Sequence, residues 1–162
     1  MKKSKLLKNQ VLKNILSALA VAFFGFILLN IAFLFDYLFQ SVIMLLIRIF
    51  TPADLYMEFT WFPPMMHVLF VVLIGLISWL VFRSKLRVLF KATYMTVPLA
   101  VVFVTIGMFL YPWPLVALLL GGLVAMGILY YFYLTKQPWL YHYTVILVAL
   151  TLAIFSLLGG EI

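Results

Sequence analysis

Pro114 to Tyr133, PLVALLLGGLVAMGILYYFY, carries no formal charge and closes on an aromatic cluster. About 20 apolar residues rising about 1.5 Å each cover a hydrocarbon core roughly 30 Å thick, and a helix satisfies its own backbone in a solvent that offers no hydrogen bonds. The segment therefore reads as a transmembrane helix. Ala117, Gly121 and Ala125 recur at four-residue spacing, which places a row of short side chains on one face and lets a neighbouring helix approach closely.

Working outward, the composition of the 162 residues agrees: 68% are apolar and 9% charged, against about 25% charged in soluble globular chains. One polytopic, all-α membrane domain is the class that remains. The chain has no cysteine, which removes disulfides, thiolate metal sites and thiol nucleophiles together. The formal charge of +7 does not indicate a nucleic-acid partner, because of the eleven Lys and Arg only Arg48 lies outside three short segments that flank apolar runs. Basic residues placed this way set membrane orientation.

The amino-terminal segment 1–14, with Lys2, Lys3, Lys5, Lys8 and Lys13, is expected to be a cytoplasmic tail. The apolar run Ile15 to Phe35 that follows is too long for a signal-peptide core and has no small-residue cleavage site after it, so it reads as an uncleaved first span with Ala18, Ala22 and Gly25 on its small face. Further spans are expected over about 66–82, 92–110, 114–133 and 141–158. Pro98 should bend the third near its cytoplasmic end, since it removes a donor to the Tyr94 carbonyl.

Between the first two spans, Asp36, Tyr37, Gln40, Ser41, Met44 and Arg48 fall within an arc of about 140° on a helical wheel, and the remainder is almost wholly aliphatic or Phe. The pattern predicts an amphipathic helix over 36–50 lying along the outer interface. One helix continuous with the first span is the competing picture. The segment 51–65, with Pro52, Pro63, Pro64, Asp54 and Glu58, is expected to be an outside loop. Arg83, Lys85, Arg87 and Lys91 then form a second cytoplasmic basic patch, suited to anionic headgroups at about 1 kcal/mol per basic residue near the surface. The expected threading is a multi-pass plasma-membrane bundle with the amino terminus cytoplasmic and the carboxyl terminus outside. Tyr and Trp at the span ends serve as interface anchors.

Chemistry-bearing residues are sparse. The interiors of the spans lack Asp, Glu, Lys, Arg and His, which argues against a proton-coupled transporter or pump acting alone. No phosphate-binding loop, zinc-protease helix or serine-hydrolase elbow is present, so no catalytic residue and no cofactor are expected. His67 and His142 belong to opposite membrane faces. His67 with Asp54 and Glu58 has suitable ligand atoms for a metal but no ligand spacing, so no metal is expected there. Asp36, Gln40, Arg48, Asp54, Glu58 and His67 make up the candidate polar or ligand surface. Asn30, Thr105 and Thr151 lie at similar depth on the first, third and fifth spans, and are expected to meet as an interhelical polar layer.

The best-fitting role is a non-enzymatic accessory or scaffolding protein that binds membrane lipid, a protein partner or another copy of itself. A small oligomeric permease or channel is the alternative. A lipid-modifying enzyme working through Asp54, Glu58 and His67 ranks third, for want of a nucleophile near a base.

Overall fold

A computed structural model describes residues 2–50 and 62–158. It is all-helical, with five helices, each long and apolar enough to cross a membrane: α1 (Lys2–Phe50), α2 (Phe62–Arg83), α3 (Val88–Phe109), α4 (Pro114–Leu134) and α5 (Trp139–Leu157). The expected spans 66–82, 92–110, 114–133 and 141–158 correspond to α2 to α5 within a few residues at each end.

The helix ends follow local chemistry. Pro63 and Pro64, expected in a loop, sit in the first turn of α2, where a missing amide proton removes no intrahelical bond. Pro114 opens α4 for the same reason. At the far end of α4, Gln137 N–H donates to the Phe132 carbonyl at 2.9 Å and Lys136 N–H to the Tyr133 carbonyl at 3.2 Å. These are the two bonds of a Schellman turn, and Lys136 takes the left-handed position with φ of 51°. Pro98 lies inside α3, which remains one helix from Val88 to Phe109.

The first span differs most from expectation. A single helix runs unbroken from Lys2 to Phe50, so 36–50 continues the first span and is not a separate interfacial element. No Gly or Pro occurs between Gly25 and Pro52 to interrupt it. Its polar side chains are satisfied from within: Asn30 Nδ2 donates to the Phe26 carbonyl at 2.7 Å, Ser41 Oγ to the Tyr37 carbonyl at 2.8 Å, and Gln40 Nε2 to Asp36 Oδ1 at 3.0 Å. Each bond spans one turn, so nothing in the segment favours leaving the helix.

The bundle centres on α3, which packs against all four other helices and has the largest buried share of the five. One core joins Val21 of α1, Ala92, Met95, Leu99, Ala100 and Phe103 of α3, Ala125 of α4, and Leu140, Tyr141, Val145 and Val148 of α5. A second joins Phe70 and Ile74 of α2 to Val97 and Val101 of α3, with Leu28, Ala32 and Phe39 of α1 against it. Helix α4, uniformly apolar, is peripheral and buries only Ala125. Leu16 and Ser17 of α1 flank the same recess as Leu89, and Gly25 meets Thr96, so α1 and α3 advance in parallel. Thr144 meets the Ala92 carbonyl at 3.3 Å, and Ala149, Ala153 and Ser156 border the same cavity as Phe103 and Gly107, so α5 runs parallel to both.

Candidate functional site

The odd-numbered helices do meet, but through other residues than the expected Asn30, Thr105 and Thr151. Thr96 Oγ1 lies 3.4 Å from the Gly25 carbonyl, where α1 and α3 touch. Thr144 Oγ1 reaches from α5 to the Ala92 carbonyl. Asn30 stands on the exposed side of α1. It is five residues from Gly25, or about 140° around the helix, so the rotation that lets Gly25 face α3 turns Asn30 outward. Thr151 donates to the Leu147 carbonyl of its own helix at 2.8 Å.

Thr105 has a different partner. His67 Nε2 lies 2.9 Å from Thr105 Oγ1, and that hydroxyl lies 2.6 Å from the Val101 carbonyl. A carbonyl only accepts, so the hydroxyl proton goes to Val101 and the hydroxyl oxygen accepts from His67 Nε2–H. His67 is buried at 6% exposure, and this bond ties α2 to α3 near the end away from the basic patch. Asp36 and Gln40 are half-buried on the same stripe of α1 as Ala32 and Phe39. Arg48 lies on α1, with its side chain outside the described part, and Asp54 and Glu58 lie outside the described residues. Among the described residues, no three His, Asp or Glu side chains are placed to hold a metal ion.

The basic patch is brought together by the tight α2–α3 link. Ser84 N–H donates to the Leu80 carbonyl at 3.0 Å and Ser84 Oγ to the Val81 carbonyl at 2.6 Å, closing the end of α2. Arg83 stacks over the Trp79 ring at 5.2 Å, while Lys85 and Arg87 are exposed. Lys91, one turn into α3, donates from Nζ to the Phe82 carbonyl at 2.7 Å. That carbonyl is among the last four of α2, which lack intrahelical donors, and a cation suits the negative end of the helix dipole.

Beside Lys91 a groove of about 490 Å³ runs over α3 between the ends of α2 and α4. Its floor is Met95, Pro98, Leu99 and Val102, one stripe of α3 continuing from Lys91. Its walls are Phe82, Tyr131, Phe132 and Tyr141, and Gln137 of the Schellman turn stands at the rim. Phe132 fixes the α4 side by stacking at 5.8 Å on Tyr141 and 5.7 Å on His142, and Phe82 meets Tyr94 at 6.2 Å. Of the groove residues, sequence reading singled out Lys91 for the basic patch, Tyr131 and Tyr141 as interface aromatics and Pro98 as a bend, but not the groove itself, since its lining comes from four helices. Two smaller apolar cavities lie among the small-residue faces. One of about 230 Å³ is bordered by Gly107, Ala117, Gly121, Ala149, Ala153 and Ser156. The other, of about 140 Å³, is bordered by Ala22, Gly25, Thr96, Ala100 and Thr151.

No protein-family model, curated protein or solved structure matches this chain. The functional reading rests on its own geometry.

Proposed function

We propose that this chain is a non-enzymatic accessory or scaffolding component of the plasma membrane, which works by binding lipid or a membrane partner. The observation that carries the reading is the disproportion of α1. At 49 residues it is more than twice the length of α2, and at about 1.5 Å per residue it extends about 74 Å, far beyond a hydrocarbon core of roughly 30 Å. Among the described side chains, the two packed cores draw on α1 only between Val21 and Phe39. Before and after that stretch it presents exposed apolar side chains, among them Val11, Leu12 and Leu16 at one end and Val42, Leu45 and Ile49 at the other. Apolar side chains that its own bundle leaves uncovered at both ends of so long a helix form an arm for contact with something else.

The polar groups buried in the bundle favour the same reading. His67, Thr96 and Thr144 each make their hydrogen bonds to neighbouring protein groups, which supports a structural use of these side chains. The basic segments orient the chain with its amino terminus and the 83–91 patch in the cytoplasm. Purification from native membranes in mild detergent, followed by mass spectrometry of lipids and proteins, tests the role. A stoichiometric subunit or lipid is expected. A bare monomer that transports a solute on its own in vesicles would overturn it in favour of a permease.

A further inference from the structure

The groove beside Lys91 has a polar end and an apolar end, in the order a lipid has them. Lys91 Nζ gives one donor to the Phe82 carbonyl, which fixes the ammonium at the rim and leaves its two other N–H donors unassigned. Gln137 and the exposed Tyr131 stand at the same end, and Arg83, Lys85 and Arg87 add positive charge around it. From Lys91 the floor follows α3 to Val102, eleven residues or about 16 Å, over Met95, Pro98 and Leu99. Half of a hydrocarbon core of roughly 30 Å is about 15 Å, so the floor matches the depth of one leaflet. Because α2 and α4 flank α3 without packing extensively on each other, the groove faces sideways, toward the lipid phase.

We infer that this groove is a binding site for an anionic membrane phospholipid, which lays one acyl chain along Met95 to Val102 and places its headgroup phosphate at Lys91. The charge sign selects the headgroup, because the rim carries cations and no acidic residue lines the groove. The depth selects a lipid of the leaflet on the basic side. The inference rests on the proposed role in binding at the membrane, and it names one ligand class and one site for it.

The test uses the full chain in nanodiscs of phosphatidylcholine containing a minor fraction of phosphatidylglycerol, some of it carrying a photoreactive group in the acyl chain. Cross-links from the wild-type chain are expected on the 95–102 face of α3, and native mass spectrometry is expected to show one retained phosphatidylglycerol. Lys91→Gln should lower that retention about fivefold, the equivalent of the roughly 1 kcal/mol that one basic side chain contributes near a membrane surface. Lys13→Gln, an exposed lysine of α1 away from the groove, should change it little. Val102→Trp keeps every charge and fills the floor, and should abolish the cross-links. Cross-links absent from 95–102 in the wild-type chain would overturn the site, whatever the variants do. So would equal losses in Lys13→Gln and Lys91→Gln, which would mean a diffuse charge effect. Cross-links confined to α1 would remove the groove while leaving the accessory role standing, whereas that role falls with the bare, transporting monomer described above.

Discussion

Thr96 and Gly25 are in such close contact that a Cβ built on Gly25 would lie 2.6 Å from Thr96 Cγ2. Real Cβ atoms do not sit that close to a neighbour, so Gly25→Ala forces α1 and α3 apart or turns the Thr96 side chain away from the Gly25 carbonyl. Alanine is the better helix former by about 1 kcal/mol, but overpacking a fitted contact costs about 1–3 kcal/mol and wins. Gly25→Ala is expected to lower the unfolding temperature of the detergent-solubilised protein. Thr96→Ser removes Cγ2 and keeps the hydroxyl, so the double variant should recover most of the loss, with a coupling of about 1 kcal/mol in the mutant cycle. Additive losses would show that the two helices are not in this contact.

The same substitution has the opposite sign on α4. A Cβ on Gly121 would lie 3.7 Å from Phe103 Cδ1, an ordinary van der Waals contact, and would project at the edge of the 230 Å³ cavity. Gly121→Ala therefore gains helix propensity and some packing without a clash. A stabilisation of about 0.5–1 kcal/mol is expected, read by thermal unfolding in the same detergent.

These two glycines show what could be read from the chain alone. The spans were legible because apolar length is a direct demand of the bilayer, and small-residue rows were legible because a missing side chain is itself what permits close approach. Gly25, Ala100, Gly121, Ala149 and Ala153 all border interhelical contacts or cavities. Which helix is central was not legible. Lipid tails are as apolar as leucine, so apolarity does not rank burial: uniformly apolar α4 is peripheral, while α3, with Lys91, Thr93, Thr96 and Thr105, is central. Asn30 was placed by depth alone, and depth does not supply the azimuth that turns its side chain outward. The unbroken α1 had its signal in the lack of Gly and Pro after Gly25; the polar arc at Asp36 to Arg48 outweighed it because a polar stripe looks alike on an interfacial helix and on one that leaves the membrane. The groove had no local signature, since Phe82, Lys91, Tyr131 and Tyr141 are assembled only by the fold.

His67 and Thr105 make a bond whose removal is costly on one side. Thr105→Val keeps the shape and leaves His67 Nε2–H buried without its acceptor, a loss of about 1–3 kcal/mol. Thr105→Ser retains the acceptor and should cost much less. Thermal unfolding of the two variants side by side checks the bond, and equal melting temperatures would rule it out.

Lys136 holds a backbone conformation that suits glycine. At φ of 51° its Cβ crowds the backbone, a strain of roughly 1–2 kcal/mol for a residue other than Gly. Lys136→Gly should relieve it and raise stability by about 1 kcal/mol, after the entropy that glycine adds to the unfolded chain is subtracted. Lys136→Ala removes the charge but keeps the Cβ, and should give no gain, so denaturation of the pair separates backbone strain from charge.

The threading can be read chemically because the chain has no cysteine, and each single-cysteine variant is then its own reporter. Lys85 is exposed in the link between α2 and α3, and Trp113 is exposed in the link between α3 and α4, at opposite ends of α3. With the basic patch retained in the cytoplasm, a membrane-impermeant thiol reagent applied to intact cells should modify Trp113→Cys and leave Lys85→Cys unreacted until the membrane is opened. The reverse pattern would invert the bundle. The groove would then face the outer leaflet, and the lysines of the first helix would have crossed the membrane during insertion, against the rule by which basic residues stay behind.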